Sequence, residues 1–344
     1  MRLTDYVFTP LELKRQYMNT VTMQVGLRYF GGKSVIGKYL LNRIFEMQAY
    51  RYQKGNPATV FVDCFTGGGK MALSIPTGWF NTIVMNDMDY GVYSFYTCCK
   101  DMPLALIHMI EELGKVMCKD IFMICARNRN KMNGELYQKI LDELGIEDNQ
   151  YAEEGIQLLS AAMTYWVTQS SWLGETDPDN ICYALNVGDK NEKNEVQSRI
   201  TLAGKRILQI NERMARQDFI IENMDYVDLI KKYLYDGKGN KIENAIFYLD
   251  PPYHEKTLNR SKELKKDAVS NRRDDGRPAP YENSFEEVQT TAMTYLLATM
   301  NWFIKSDYDP YFFFRDPYEE EDDFNKGKPA DDCFHDFDLI ENID

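Results

Sequence analysis

In the first and last thirds of the chain, short apolar runs that end on polar or glycine-rich turns alternate with stretches where apolar residues recur every three or four positions. Thr59-Val60-Phe61-Val62 is β-branched and aromatic, reads as a buried strand, and empties into Cys64-Phe65-Thr66-Gly67-Gly68-Gly69. A helix is expected after the glycines. Thr82-Ile83-Val84-Met85, ending at Asn86-Asp87-Met88-Asp89, and Ala245-Ile246-Phe247-Tyr248-Leu249, ending at Asp250-Pro251-Pro252-Tyr253, have the same form. Three strands with polar C-terminal ends, separated by helical patterns, predict an α/β sheet whose site lies at the strand C-termini.

Between Thr97 and Leu208 the strand signals vanish. Leu104 to Leu113, Glu135 to Leu144 and Ile156 to Val167 instead carry apolar residues at helical spacing, which predicts an inserted, mainly helical subdomain. The organisation expected is therefore an N-terminal part of a catalytic domain over 1–96, the insertion over 97–208, a C-terminal part over 209–315 and a tail over 316–344. Residues 259–283 are charged and contain Gly276, Pro278 and Pro280, the pattern of a long loop. No internal repeat is visible.

A chain of 344 residues, 44% hydrophobic and 27% charged, has the composition of an ordinary globular protein with a substantial core. No apolar run approaches the roughly 20 residues that span a bilayer, and no signal-peptide core is present, so a cytoplasmic protein without a membrane partner is expected. Seven cysteines without a CxxC pair, and three histidines, predict neither a disulfide framework nor a metal site.

The formal charge of −13 argues at first against a polyanionic partner, but its distribution reverses that. From Asp316 to Asp344 twelve acidic residues face two lysines, so −3 is left for residues 1–315. Within that body two segments are each net +4: 115–131, which holds Arg127, Arg129 and Lys131, and 256–277, which holds Arg260, Arg272 and Arg273. These are the candidate nucleic-acid contacts; the alternative for each is a solvated basic face.

Glycines after a strand let the backbone approach a ligand closely, and an acid at the end of the next strand can accept hydrogen bonds from ribose hydroxyls. Gly67 and Asp87 stand twenty positions apart, a spacing that suits a nucleoside-containing cofactor in a Rossmann-like sheet. It does not separate a dinucleotide from S-adenosylmethionine. Asp250-Pro251-Pro252-Tyr253 is more informative. Pro251 and Pro252 stiffen the strand end and remove two donors, leaving carbonyls free to accept. An exocyclic aromatic amine is a poor nucleophile because its lone pair is delocalised into the ring. The Asp250 carboxylate and the Pro251 carbonyl could accept its two N–H bonds and oppose the charge that develops on attack, with Tyr253 as a stacking surface for the base.

In this order the motifs resemble the Dam-type, alpha-group adenine-specific DNA methyltransferases. The chain has Arg28-Tyr29-Phe30-Gly31-Gly32-Lys33, then Phe65-Thr66-Gly67-Gly68-Gly69, then Asn86-Asp87, an insertion, and Asp250 to Tyr253. The resemblance spans about residues 24 to 310. It implies a Rossmann-like S-adenosylmethionine-dependent sheet with a helical target-recognition insertion. Tyr29 and Lys33 are implied to help hold the cofactor, with Phe65 and Gly67 beside it and Asp87 on its ribose. Tyr29 stands where the family usually has tryptophan. Gln169 to Gly174 loosely resembles the segment that opens many recognition domains. The implied reaction moves the methyl of S-adenosylmethionine to N6 of an adenine flipped out of duplex DNA. Alternatives are amino-methyl transfer to cytosine, RNA or protein glutamine, or a non-catalytic DNA-binding relative. A cognate restriction nuclease as partner, the oligomeric state and the DNA site are left open.

Overall fold

The computed structural model describes residues 1–9, 11–24, 26–29, 37–131, 133–145, 154–171, 174–179, 181–183, 192–235, 238 and 244–250. All lie in the first of two units into which the chain divides, residues 1–252. Helices α1 (Leu3–Phe8), α2 (Leu11–Thr20) and α3 (Gly37–Gln53) precede β1 (Val60–Asp63), α4 (Lys70–Ser74) and β2 (Thr82–Asn86). A helical run follows: α5 (Tyr90–Asp101), α6 (Pro103–Val116), α7 (Lys119–Asn128), α8 (Gly134–Leu144), α9 (Gly155–Ser170) and α10 (Glu192–Ala215). β3 (Asp218–Glu222), α11 (Tyr226–Leu234) and β4 (Ala245–Tyr248) return the chain to the sheet.

The sheet is parallel with strand order β3-β2-β1-β4, Phe61 lying opposite Ile83 on one side and Ile246 on the other. Phe61, Val62, Ile83, Val84, Phe219, Ile246 and Phe247 are all buried, as expected of short strands covered on both faces. The three expected strands are present to within one residue at each end. β3 is an addition that the hydrophobic pattern did not single out: its apolar core is only Phe219-Ile220-Ile221 between Asp218 and Glu222. Because β1 lies between β2 and β4, the strand order reverses there, and in open α/β sheets the crevice outside the strand C-termini at such a point is where ligands bind.

Buried Asn86 ties those C-terminal ends together. Its Nδ2 donates to the carbonyls of Cys64 (3.0 Å) and Met224 (3.1 Å), and its Oδ1 accepts from the Met224 amide (3.1 Å). One side chain thereby holds the turns after β1, β2 and β3 in a common frame.

The three expected helices of the insertion correspond to α6, α8 and α9. α9 is the centre of the bundle: every residue from Leu158 to Ser170 is buried, the mark of a helix surrounded on all sides. Its Trp166 indole donates to the Ile110 carbonyl (3.0 Å), and its Tyr165 hydroxyl to the Arg199 carbonyl (2.6 Å). The boundaries expected at 97 and 208 fall inside α5 and α10. α5 packs on both α9 and β3, and α10 on α6, α4 and β3. Among the described residues no helix is long and apolar enough to cross a membrane, and no cluster of His, Cys, Asp and Glu could hold a metal ion.

Candidate active site

The turn after β1 brings the glycines under an aromatic ring. Gly67 has φ +45°, a left-handed conformation that side chains rarely tolerate, and a Cβ there would lie 3.1 Å from Tyr29 Cδ1. Glycine is thus required both by its backbone angle and by the close approach of Tyr29. The segment carrying that tyrosine is fixed from the other side by the Tyr96 hydroxyl, which accepts the Leu27 N–H (3.3 Å). Gly174, with φ +80°, packs so closely that a Cβ would come within 2.6 Å of the Arg28 carbonyl oxygen, and Thr176 hydrogen-bonds the Tyr29 phenol. The glycine turn, the Arg28-Tyr29 segment and the stretch after α9, distant in sequence, therefore meet at one place.

The spacing between Gly67 and Asp87 has a direct structural cause: the Gly67 amide donates to Asp87 Oδ2 at 2.7 Å. Asp87 Oδ1 accepts the Asp89 amide at 2.9 Å, and the Asn223 side chain holds the Asp87 carbonyl at 2.7 Å. Each carboxylate oxygen keeps a second lone pair for another donor. Burial pushes the Asp87 carboxyl up to about 6 against the two amide bonds that stabilise its ionised form.

Asp63, the last residue of β1, was not among the residues expected at the site. It is 1% exposed, and its Oδ1 has no hydrogen-bond partner among the described residues. Burial, then the nearby charges of Asp250 and Asp87, push its carboxyl up to about 8. The available sequence signal was an acid closing an apolar strand just before a glycine turn. Asp250 follows β4, the neighbour of β1, and its charge is felt by Asp63, so three carboxylates gather at the ends of three adjacent strands. Phe65, half-buried, meets the ring of Tyr226 with centroids 5.2 Å apart. Tyr226 opens α11 after β3 and was not foreseen, because β3 was not.

Arg129 requires a correction. Expected at the DNA, it turns inward: 4% exposed, it donates to both carboxylate oxygens of Asp89, Nη1 at 2.6 Å and Nη2 at 2.5 Å. The α7 carboxyl end directs it there: the Arg129 carbonyl accepts the Ser160 hydroxyl of α9 (2.5 Å), and Asn130 accepts the Gly91 amide (2.9 Å). Asp89 in turn caps α5 through the Val92 amide (3.0 Å). Arg127 and Lys131, on either side, are exposed. Lys33, Pro251, Pro252, Tyr253, Arg260, Arg272 and Arg273 lie outside the described residues.

No curated protein sequence matches the chain. The family model of the D12 class N6 adenine-specific DNA methyltransferases matches residues 29–277, from Tyr29 past the sequence Asp250-Pro251-Pro252-Tyr253, and with well over half its length so matched the chain belongs to that family of enzymes, which methylate adenine in DNA.

Proposed function

We propose that the protein uses S-adenosylmethionine to methylate N6 of an adenine flipped out of a specific site in duplex DNA. The observation that carries this reading is the adjacency of Asp250 and Asp63. The residue proposed to act on the amine and the acid beneath the glycine turn emerge from neighbouring parallel strands. The residues fit a cationic nucleoside cofactor. Asp63 offers a buried carboxylate oxygen without a donor among the described residues, Asp87 keeps lone pairs for ribose hydroxyls, and Tyr29 over Gly67 and Phe65 beside Tyr226 supply apolar faces. S-adenosylmethionine bound there would supply a methyl group activated by its positive sulfur. Asp250, with the Pro251 carbonyl, would accept the two N–H bonds of the adenine amine, draw its lone pair out of conjugation and stabilise the charge that grows on nitrogen as it attacks. Tyr253 would stack on the base, and Lys33 would help hold the cofactor. The insertion would read the DNA, with Arg127 and Lys131 exposed on it, while Arg260, Arg272 and Arg273 would grip backbone near the flipped base.

Expression in a methylation-deficient cell, followed by single-molecule sequencing, tests the whole reading. A single sequence context carrying N6-methyladenine is expected. Modified cytosine, or unmodified DNA from a protein that binds S-adenosylmethionine, would overturn it.

The role of Asp87 gives a smaller, separable effect. Asp87→Ala is expected to weaken S-adenosylmethionine binding by about 1–3 kcal/mol, the cost of losing a charged hydrogen bond from a partly buried site. Unchanged affinity in calorimetry would remove Asp87 from the ribose.

The raised carboxyls predict a pH dependence. With Asp63 up to about 8 and Asp87 up to about 6 in the folded chain, the native state holds protons that the unfolded chain has already lost. Their contribution to stability is therefore fully present below about pH 4 and is lost as pH rises through 6 and then 8. A cationic cofactor favours the ionised carboxylates, so its binding should expel protons and tighten as pH rises from 6 to 8. Titrations in two buffers of different ionisation enthalpy would show proton release; proton uptake would contradict the proposed pairing.

A further inference from the structure

We infer that Arg28, Arg199 and Arg206 form an anchor for a DNA phosphate beside the glycine turn, an inference that rests on the DNA reading above. Arg199 and Arg206 stand seven residues apart on α10, two turns along the same side of the helix. Both converge on Gln169 at the end of α9. The Arg199 guanidinium donates to its carbonyl, and Arg206 Nη1 donates to its Oε1 at 2.9 Å. At the same end of α9, Gln169 Nε2 and the hydroxyls of Ser170 and Ser171, next in sequence, are buried and have no partner among the described residues. Arg28, exposed on the segment packed against Gly174, repels both arginines, and Lys70 at the start of α4 feels Arg206.

Fully buried Arg129 has the Asp89 carboxylate. Arg213, partly exposed like Arg199 and Arg206, donates to the carbonyls of Leu73 (3.0 Å) and Ile75 (2.5 Å). What sets Arg199 and Arg206 apart is that two guanidinium groups share one residue, Gln169, and both feel the like charge of Arg28. Arg206 has no carboxylate partner among the described residues, and Arg199 feels one carboxylate, that of Glu195, without an ion pair to it among the described residues. Desolvation and like charge both oppose keeping these guanidinium groups together, in a chain whose first 315 residues are net −3. An oxyanion would relieve that repulsion and take up the unused N–H groups in charge-assisted bonds. Two sources offer such an anion: a phosphate diester of DNA or the carboxylate of the cofactor. The exposure of Arg28 and the partial exposure of Arg199 and Arg206 favour the phosphate, because a long polymer passing along the surface can reach all three.

The test compares Arg28→Gln, Arg199→Gln, Arg206→Gln and Arg206→Lys in the full chain. Duplex affinity is read by fluorescence anisotropy between 50 and 200 mM salt, and S-adenosylmethionine affinity by calorimetry. Each glutamine variant should weaken binding several-fold, equally for methylatable and random duplexes, and lower the slope of log affinity against log salt by about one. Arg206→Lys should keep the wild-type slope, and cofactor affinity should stay within about twofold. Unchanged slopes in all three glutamine variants would overturn the inference. So would cofactor affinity falling while the slopes hold, which would give the site to the cofactor carboxylate. Arg206→Lys losing as much as Arg206→Gln would overturn it too, because the bond to Gln169 and not the charge would then be what matters. If wild type methylates adenine while the slopes stay unchanged, only the anchor fails; a wild type that binds no duplex removes the DNA reading as well.

Discussion

Asp250→Ala is expected to lower methyl transfer by a factor on the order of 10^3, the scale seen when one preorganised hydrogen-bonding group is removed from a developing charge. Its affinity for S-adenosylmethionine should be nearly unaltered, because the proposed contact of Asp250 is with the amine in the transition state and not with the cofactor. Electrostatics sharpen this expectation. The charge of Asp250 helps to raise the Asp63 carboxyl, so removing it lets Asp63 ionise more readily and leaves the cofactor side no less attractive to a cation. Asp250→Asn keeps one acceptor oxygen while discarding the charge, and should fall between wild type and alanine. Single-turnover rates beside calorimetric affinities separate the two effects. Equal rates in wild type and Asp250→Ala would end the amine mechanism, and an affinity loss as large as the rate loss would move Asp250 into the cofactor pocket.

The second large effect is expected away from the reacting atoms. Arg129→Gln should destabilise the fold by about 3–5 kcal/mol, the cost of leaving a buried carboxylate without its counter-ion. With side chains 4% and 14% exposed, Arg129 and Asp89 are too enclosed for water to replace the missing partner. That is a large part of the roughly 5–15 kcal/mol that holds a domain folded. The damage should reach the cofactor site, since the Asp89 amide holds Asp87, whose other oxygen holds Gly67. The double variant Asp89→Asn with Arg129→Gln should recover part of the loss by removing both charges together. Urea unfolding decides the matter: an unchanged midpoint for Arg129→Gln would mean that the pair contributes nothing to the native state.

The strands β1, β2 and β4 were legible because each is a dense local run of β-branched and aromatic residues that ends abruptly on polar chemistry. The central helix α9 was legible for a similar local reason, its apolar content. β3 escaped because three apolar residues between two acids fall below what a pattern can distinguish, and Tyr226 escaped with it. The order of the motifs was also visible along the chain, and it is the order the D12 family match covers.

What the sequence by itself determined was therefore the identity of the strand ends and the residues they carry, Gly67, Asp87 and Asp250 among them. Only the tertiary structure decided which charges have partners. Arg127, Arg129 and Lys131 look alike in a basic run, yet Arg129 alone turns inward, toward a carboxylate forty positions earlier. Arg199 and Arg206 meet a glutamine thirty or more positions away, and Arg206 has no carboxylate partner among the described residues, while Asp63 is enclosed so fully that its carboxyl rises to about 8. Strand and turn formation depend on near neighbours, whereas the free energy of a charge depends on the water removed from it and the opposite charge brought to it. Both are set by segments that come together only when the chain folds.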